Sequence, residues 1–98
     1  MNLEKTYTLS FLDISAREFN KLDSQIKLQF LAKLEEILKD PYNAPRLRGG
    51  LKNCFKIKLR SAGYRLVYKV NETEIEVLVV AVGKRNNDDI YNTAKKRI

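Results

Sequence analysis

The chain of 98 residues contains no histidine and a single cysteine, Cys54. Without histidine it lacks the commonest metal ligand and the side chain that usually moves protons near neutral pH. A lone thiol excludes an internal disulfide and a thiolate metal cluster, so Cys54 reads as a small buried hydrophobe, and no metal and no cofactor is expected. Long apolar runs are missing too. The longest, VLVVAV from Val77 to Val82, is far short of the ~20 residues that span a bilayer. The start MNLEKTYTLSF carries Glu4 and Lys5 where a leader would be apolar, so no signal peptide is expected and the chain reads as cytoplasmic, with no membrane partner. The sequon Asn71-Glu72-Thr73 then reads as a turn. Proline occurs only at Pro41 and Pro45, and two of the four glycines, Gly49 and Gly50, lie close behind, which marks residues 41–53 as a loop. That glycine pair is not a phosphate loop, because no Gly-Lys-Ser/Thr follows it.

Acidic residues are scarce in the second half. Residues 1–45 hold 6 Lys/Arg against 7 Asp/Glu, whereas residues 46–98 hold 13 against 5, so the whole formal net charge of +7 arises in the second part. Such a balance points to a polyanionic partner. The length allows one domain with one modest core, taken here as residues 1–98.

Periodicity orders that domain. Tyr7, Leu9 and Phe11 alternate with polar neighbours as a short strand from Thr6 to Leu12. Ser15 to Glu18 has capping-box spacing, with Ala16, Phe19 and Leu22 following at helical steps. Asp23 or Ser24 opens a second helix whose stripe is Ile26, Phe30, Leu31, Leu34, Ile37 and Leu38, and Asp40-Pro41 stops it. Three strands follow at Phe55 to Arg60, Arg65 to Val70 and Glu74 to Val82, joined by connections short enough for antiparallel hairpins. The third, apolar on both faces around VLVVAV, reads as a covered central strand. A last helix begins near Asn87, with Asp88 and Asp89 in its first turn and Lys95, Lys96 and Arg97 in its last, as the helix dipole favours. The order β-α-α-β-β-β-α gives an α+β fold: an N-terminal strand and helix hairpin packed on a mainly antiparallel sheet, with a C-terminal helix.

Strand alternation shows where the positive charge goes. Phe55, Ile57 and Leu59 share one face of their strand, and Lys56, Lys58 and Arg60 the other. In the partner strand Tyr64, Leu66, Tyr68 and Val70 oppose Arg65, Val67 and Lys69. For both apolar sets to lie together, opposed residue numbers must sum to an odd value, so Lys58 or Arg60 stands directly across from Arg65. Like charges so placed weaken a sheet by roughly a few tenths of a kcal/mol. Glu72, Glu74 and Glu76 sit away from the cluster. Lys84 and Arg85 leave the end of the third strand beside it, and Arg46 and Arg48 flank it from the loop. A solvated face would carry such charges as well, but the pairing of like with like favours a concave phosphate-binding surface. Tyr91, beside the helical series Ile90, Ala94 and Ile98, is either an edge of the core or a phenol stacked on a base.

LRG, then CFKIKLRSAGYRLVYKV, then VVAVGKR and a terminal-helix Tyr followed by AKKRI together resemble the RelE family of bacterial toxin ribonucleases, over essentially the whole chain. The resemblance implies a small microbial-ribonuclease-like fold, entry into the ribosomal A site on the small subunit, cleavage of the mRNA codon held there, and neutralisation by a RelB-type antitoxin. Matched motif by motif, the family's catalytic set falls on Lys56, Lys58, Arg65, Arg85 and Tyr91, and an RNA-contacting position on Arg48. GGLKN is one residue longer than the family pattern, which bears on the placement of Arg48.

Such a set must cut RNA with cations and a phenol rather than with an acid–base pair of ordinary ribonuclease type. One of Lys56 and Lys58, preferably Lys58, is the candidate base, Arg65 the phosphate clamp, Arg85 the stabiliser of developing charge, and Tyr91 the residue that orients the nucleotide. Arg46, Arg48, Arg60 and Lys84 are expected to bind RNA. Two other readings are a basic module that binds RNA or ribosomes without cutting, and a gyrase inhibitor of the ParE type, whose members generally lack this catalytic set.

Overall fold

The structure, a computed structural model, describes residues 6–47, 52–84 and 89–98. Along the chain run strand β1 (Thr8–Phe11), helices α1 (Asp13–Asn20) and α2 (Ser24–Ile37), strands β2 (Cys54–Leu59), β3 (Tyr64–Asn71) and β4 (Glu76–Lys84), and helix α3 (Asp89–Arg97). The expected element order holds. The sheet runs β1-β4-β3-β2, antiparallel from β4 to β2, with β1 parallel to β4. A parallel pair needs a long crossover, and here it contains the helix hairpin and the β2–β3 hairpin.

Alternation along the strands divides the core into two layers. Phe55, Ile57, Leu59, Leu66, Tyr68, Val70, Val77, Val79 and Val82 face the helix hairpin, where Phe19 of α1 and Ile26, Phe30, Leu34 and Ile37 of α2 cover them. On the opposite face Cys54, Val67, Val80 and Ala81 meet Ile90 and Ala94 of α3. Strand β4 is thus buried on both sides, which accounts for the lack of polar alternation in VLVVAV. Its phase breaks once. Tyr68 pairs with Val79 but Val67 with Ala81, so Val80 is an extra residue, a β-bulge. Val80 and Ala81 both turn towards α3. Beyond them the alternation is inverted.

Local signals act largely as the sequence suggests. The Asp23 carboxylate caps α2, accepting from the Ile26 N–H at 3.1 Å. Ser15 differs from its expected capping role: α1 already begins at Asp13, and the buried Ser15 hydroxyl donates to the Val79 carbonyl at 2.7 Å. Its bond to the sheet outweighs a cap. Leu31 also leaves its expected place, being 42% exposed; it lies about 100° round the helix from Phe30, so the buried stripe narrows to Ile26, Phe30, Leu34 and Ile37. The β2–β3 hairpin turns through Gly63 at φ +73°. The sequon lies at a turn as expected, with the Asn71 side chain accepting from the Glu74 N–H at 3.3 Å. That turn ends at Ile75 with φ 50°, a strained position for a β-branched residue, and β4 starts at Glu76, later than expected. Asn87 and Asp88, expected at the start of the last helix, lie outside the described residues. No helix among the described residues is long and apolar enough to cross a membrane.

Three phenols give the fold an alkaline limit. The buried Tyr68 hydroxyl donates to the Pro41 carbonyl at 2.8 Å, and the Glu72 carboxylate accepts from both Tyr7 and Tyr42. Burial raises Tyr68, the bond to Glu72 raises Tyr7, and desolvation together with Glu72 pushes Tyr42 up to about 12. All three hold their protons more tightly folded than unfolded, where tyrosine titrates near ~10. Their contribution is complete below that value and is lost as pH rises through the folded values. Thermal melts from about pH 9 to about pH 12 are therefore expected to show a falling midpoint above about pH 10. A flat profile would contradict this.

Candidate active site

The register of the β2–β3 hairpin sets Lys58 directly opposite Arg65, one of the two pairings the alternation allowed. Lys56, opposite Val67, lies on the same face, the one that α3 covers. Helix α3 is held there by Ile90 and Ala94, four residues apart and both buried. Gly83 faces Arg65 in the β3–β4 register, and a Cβ there would come within 3.4 Å of Ile90 Cδ1. The glycine lets the helix lie close to the strand.

This docking brings Tyr91 over the basic hairpin. Arg65 Nη1 donates to the Tyr91 hydroxyl at 2.7 Å, and the guanidinium carbon lies 5.4 Å from the ring centroid. Lys56 Nζ is 5.3 Å from the same centroid. The phenol therefore interacts with both cations through its ring as well as with Arg65 through its hydroxyl. The ring edges the α3-side core, as one of the two readings of Tyr91 has it, and the hydroxyl joins the basic cluster. Lys56, Lys58, Arg65 and Tyr91 are all partly buried, open enough to meet a ligand and covered enough to strengthen their fields.

The other expected residues divide. Arg60 is exposed at the hairpin tip, where it lines a cleft of about 280 Å³ with Lys58, Tyr64, Gly63 and Arg65. A second cleft of about 340 Å³, at the β2 edge, is shared by Lys56, Lys58 and Arg60 with Lys33, Glu36 and Asp40. Lys84 is brought to the right end of the sheet but to the other face. It pairs with Tyr64, whose ring packs on the helix-hairpin core, because the bulge at Val80 has inverted β4. Arg46 bridges to Phe55, and its guanidinium stands 5.3 Å from the Phe55 ring centroid, also on the helix-hairpin side. Arg48 and Arg85 lie outside the described residues.

Two residues to which the sequence reading gave only helix-end roles bear on the site. Glu18 of α1 and Arg97 of α3, 79 positions apart, form a bidentate ion pair, with Nη1–Oε1 at 2.8 Å and Nη2–Oε2 at 2.9 Å. The bond to Glu18 raises the Arg97 pKa further. Periodicity carries no signal for a contact so distant in sequence. The chemistry on offer is thus a group of cations and a phenol on a sheet face, suited to holding a phosphate and spreading its charge.

Residues 9–89 match the family model described as the ParE toxin of the type II toxin–antitoxin system, parDE. Fold and basic face together thus define the class, the small toxins of such systems. The mRNA interferase toxin RelE of Escherichia coli K12 is 45% identical over 94% of this chain and 97% of its own length. A RelE toxin mutant from E. coli, solved in the free state, superposes with a TM-score of 0.85 at 44% identity over 95% of this chain and 98% of that one. The toxin of the intact E. coli RelBE toxin–antitoxin complex gives 0.77 at 41% identity over 83% of this chain and 99% of that one. The chain belongs to the RelE branch of this toxin family.

Proposed function

We propose that this protein, as one domain over residues 1–98, is the toxin of a type II toxin–antitoxin system: an endoribonuclease that enters the ribosomal A site and cuts the mRNA codon there. The observation that carries the reading is the cluster of Lys56, Lys58, Arg65 and Tyr91 on one sheet face, in a chain so similar to an mRNA interferase. The small ribosomal subunit and mRNA are its targets, a RelB-type antitoxin its inhibitor, and the cytoplasm its compartment.

In the mechanism that fits these groups, the 2′-hydroxyl attacks the adjacent phosphate. Lys58, with Lys56 beside it, takes the hydroxyl proton. Arg65 clamps the scissile phosphate through its fork of N–H donors. Arg85 neutralises charge as the 5′-oxygen leaves and takes a proton from solvent to become the 5′-hydroxyl, and Tyr91 orients the nucleotide. No metal or cofactor is needed for these steps. A site without an efficient acid–base pair depends on positioning, which is worth up to ~7–11 kcal/mol in the best intramolecular reactions. The ribosome supplies that positioning by presenting the codon in line for attack.

The mechanism requires the 2′-hydroxyl at the cut. An mRNA with a single 2′-deoxy nucleotide at that position is expected to survive in the A site, while its all-ribose twin is cut to a 2′,3′-cyclic phosphate and a 5′-hydroxyl. Cleavage at the deoxy position would rule out the mechanism. The family model's ParE description keeps gyrase inhibition as the second reading, separated from the first by supercoiling assays on purified gyrase.

A further inference from the structure

We infer that Glu18 and Arg97 form a clamp that sets the angle of α3 and so holds the Tyr91 hydroxyl against Arg65, which makes them positioning residues for the nuclease site. The inference rests on the function proposed above. Pairing between β1 and β4 ends at Phe11 and Val79, so past Val79 that edge of β4 is not covered by β1. The clamp occupies this edge. Glu18 Oε1 accepts from the Val82 N–H at 3.2 Å, and Arg97 Nη1 donates to the Val80 carbonyl at 2.9 Å. The two side chains thereby bond the carbonyl of the bulged Val80 and the N–H of Val82, the backbone groups that flank Ala81, while they bond each other. They are also well covered, with exposures of 14% for Arg97 and 29% for Glu18. A bidentate, half-buried pair with two additional backbone bonds holds its geometry far better than an exposed ion pair.

Its leverage comes from the helix. A helix of nine residues is too short to be stable alone, so its position is set by what it touches. Ile90, Ala94 and Arg97 fall at i, i+4 and i+7, one sheet-facing stripe on which Arg97 is the sole polar anchor. Tyr91 lies at the amino-terminal end of the lever and Arg97 at the carboxy-terminal end, roughly 9 Å apart along the axis at the usual helical rise. The bulge that the clamp ties down is also the one that presents Gly83 to Ile90. Release of the clamp leaves the packing of Ile90, Ala94 and the Tyr91 ring and the contacts of Tyr91 with Lys56 and Arg65, all amino-terminal to Arg97, so the carboxy-terminal end of the helix loses its polar tie to the sheet.

The test combines kinetics with amide exchange on the full chain. Arg97→Ala is expected to lower kcat for A-site cleavage roughly 100-fold, as small misplacements at a site do, with a much smaller change in KM. Arg97→Lys, which keeps the charge but not the fork, regains part of the loss. In a Tyr91→Ala background Arg97→Ala costs nothing further, because its effect runs through Tyr91. Hydrogen exchange should quicken in α3 and stay unchanged in β2 and β3. Equal losses from Arg97→Ala in both backgrounds, or full activity in the single variant, would overturn the clamp. A wild type that cuts no mRNA would instead overturn the proposed function. The exchange data then decide the clamp alone: faster α3 amides in Arg97→Ala support it, and unchanged ones refute it.

Discussion

Arg65→Ala is expected to lower cleavage of A-site mRNA by roughly 10²–10³-fold, the usual effect of removing one donor aimed at transition-state charge. Arg65 is the residue on which the site converges. It stands opposite Lys58, donates to Tyr91 at 2.7 Å, and faces Gly83, where no side chain intervenes. Its loss removes the planar fork that grips a phosphate, and lysine, a point charge, restores little of it. Stability should respond differently. The substitution deletes the bond and ring contact to Tyr91 but also relieves the like-charge opposition with Lys58, terms of similar size and opposite sign. The unfolding free energy is thus expected to change by less than about 1 kcal/mol. Single-turnover cleavage measured beside urea unfolding separates the two effects. An inactive variant that is also strongly destabilised would assign Arg65 to the fold rather than to the site.

The largest effect on stability is expected at Phe30. Its side chain is fully buried at 0% exposure between α2 and the sheet, whereas Leu28, two residues earlier, is 65% exposed. Phe30→Ala removes the ring and leaves a cavity, at a cost of about 3–5 kcal/mol. That is a large share of the ~5–15 kcal/mol that holds a domain of this size together. At about 4–8 °C per kcal/mol the melting midpoint falls by tens of degrees, if the variant folds at all. Leu28→Ala, a comparable truncation on the same helix, should stay within about 0.5 kcal/mol. Similar costs at the two positions would mean that α2 docks by another face.

Much of this architecture can be read from the chain because the governing signals are local. Alternation in β2 and β3 gives the faces, and parity gives the opposition of Lys58 or Arg60 to Arg65, of which the structure selects Lys58. Asp23 caps as its side chain suggests. The features that escape are non-local or hidden by uniform hydrophobicity. In VLVVAV every residue is apolar, so nothing marks Val80 as the extra one, and the inversion that sends Lys84 to the far face leaves no trace in the pattern. Ser15 obeys a tertiary acceptor, Val79, rather than its capping spacing. Glu18 reads as one half of a capping box, yet its partners are Val82 and Arg97. Arg46, beside the site in sequence, is drawn to the Phe55 ring on the other face.

The central claim is that a basic sheet face with one phenol cuts mRNA only where the ribosome positions it. The most direct test places a defined codon in the A site of purified, programmed ribosomes and maps the 5′ ends after addition of the wild-type protein or its Lys58→Ala variant. The expected result is a cut within that codon by the wild type, none by the variant although it remains folded and bound, and none in the same mRNA without ribosomes. Equal cutting of free mRNA, or wild type bound in the A site without any cut, would contradict it.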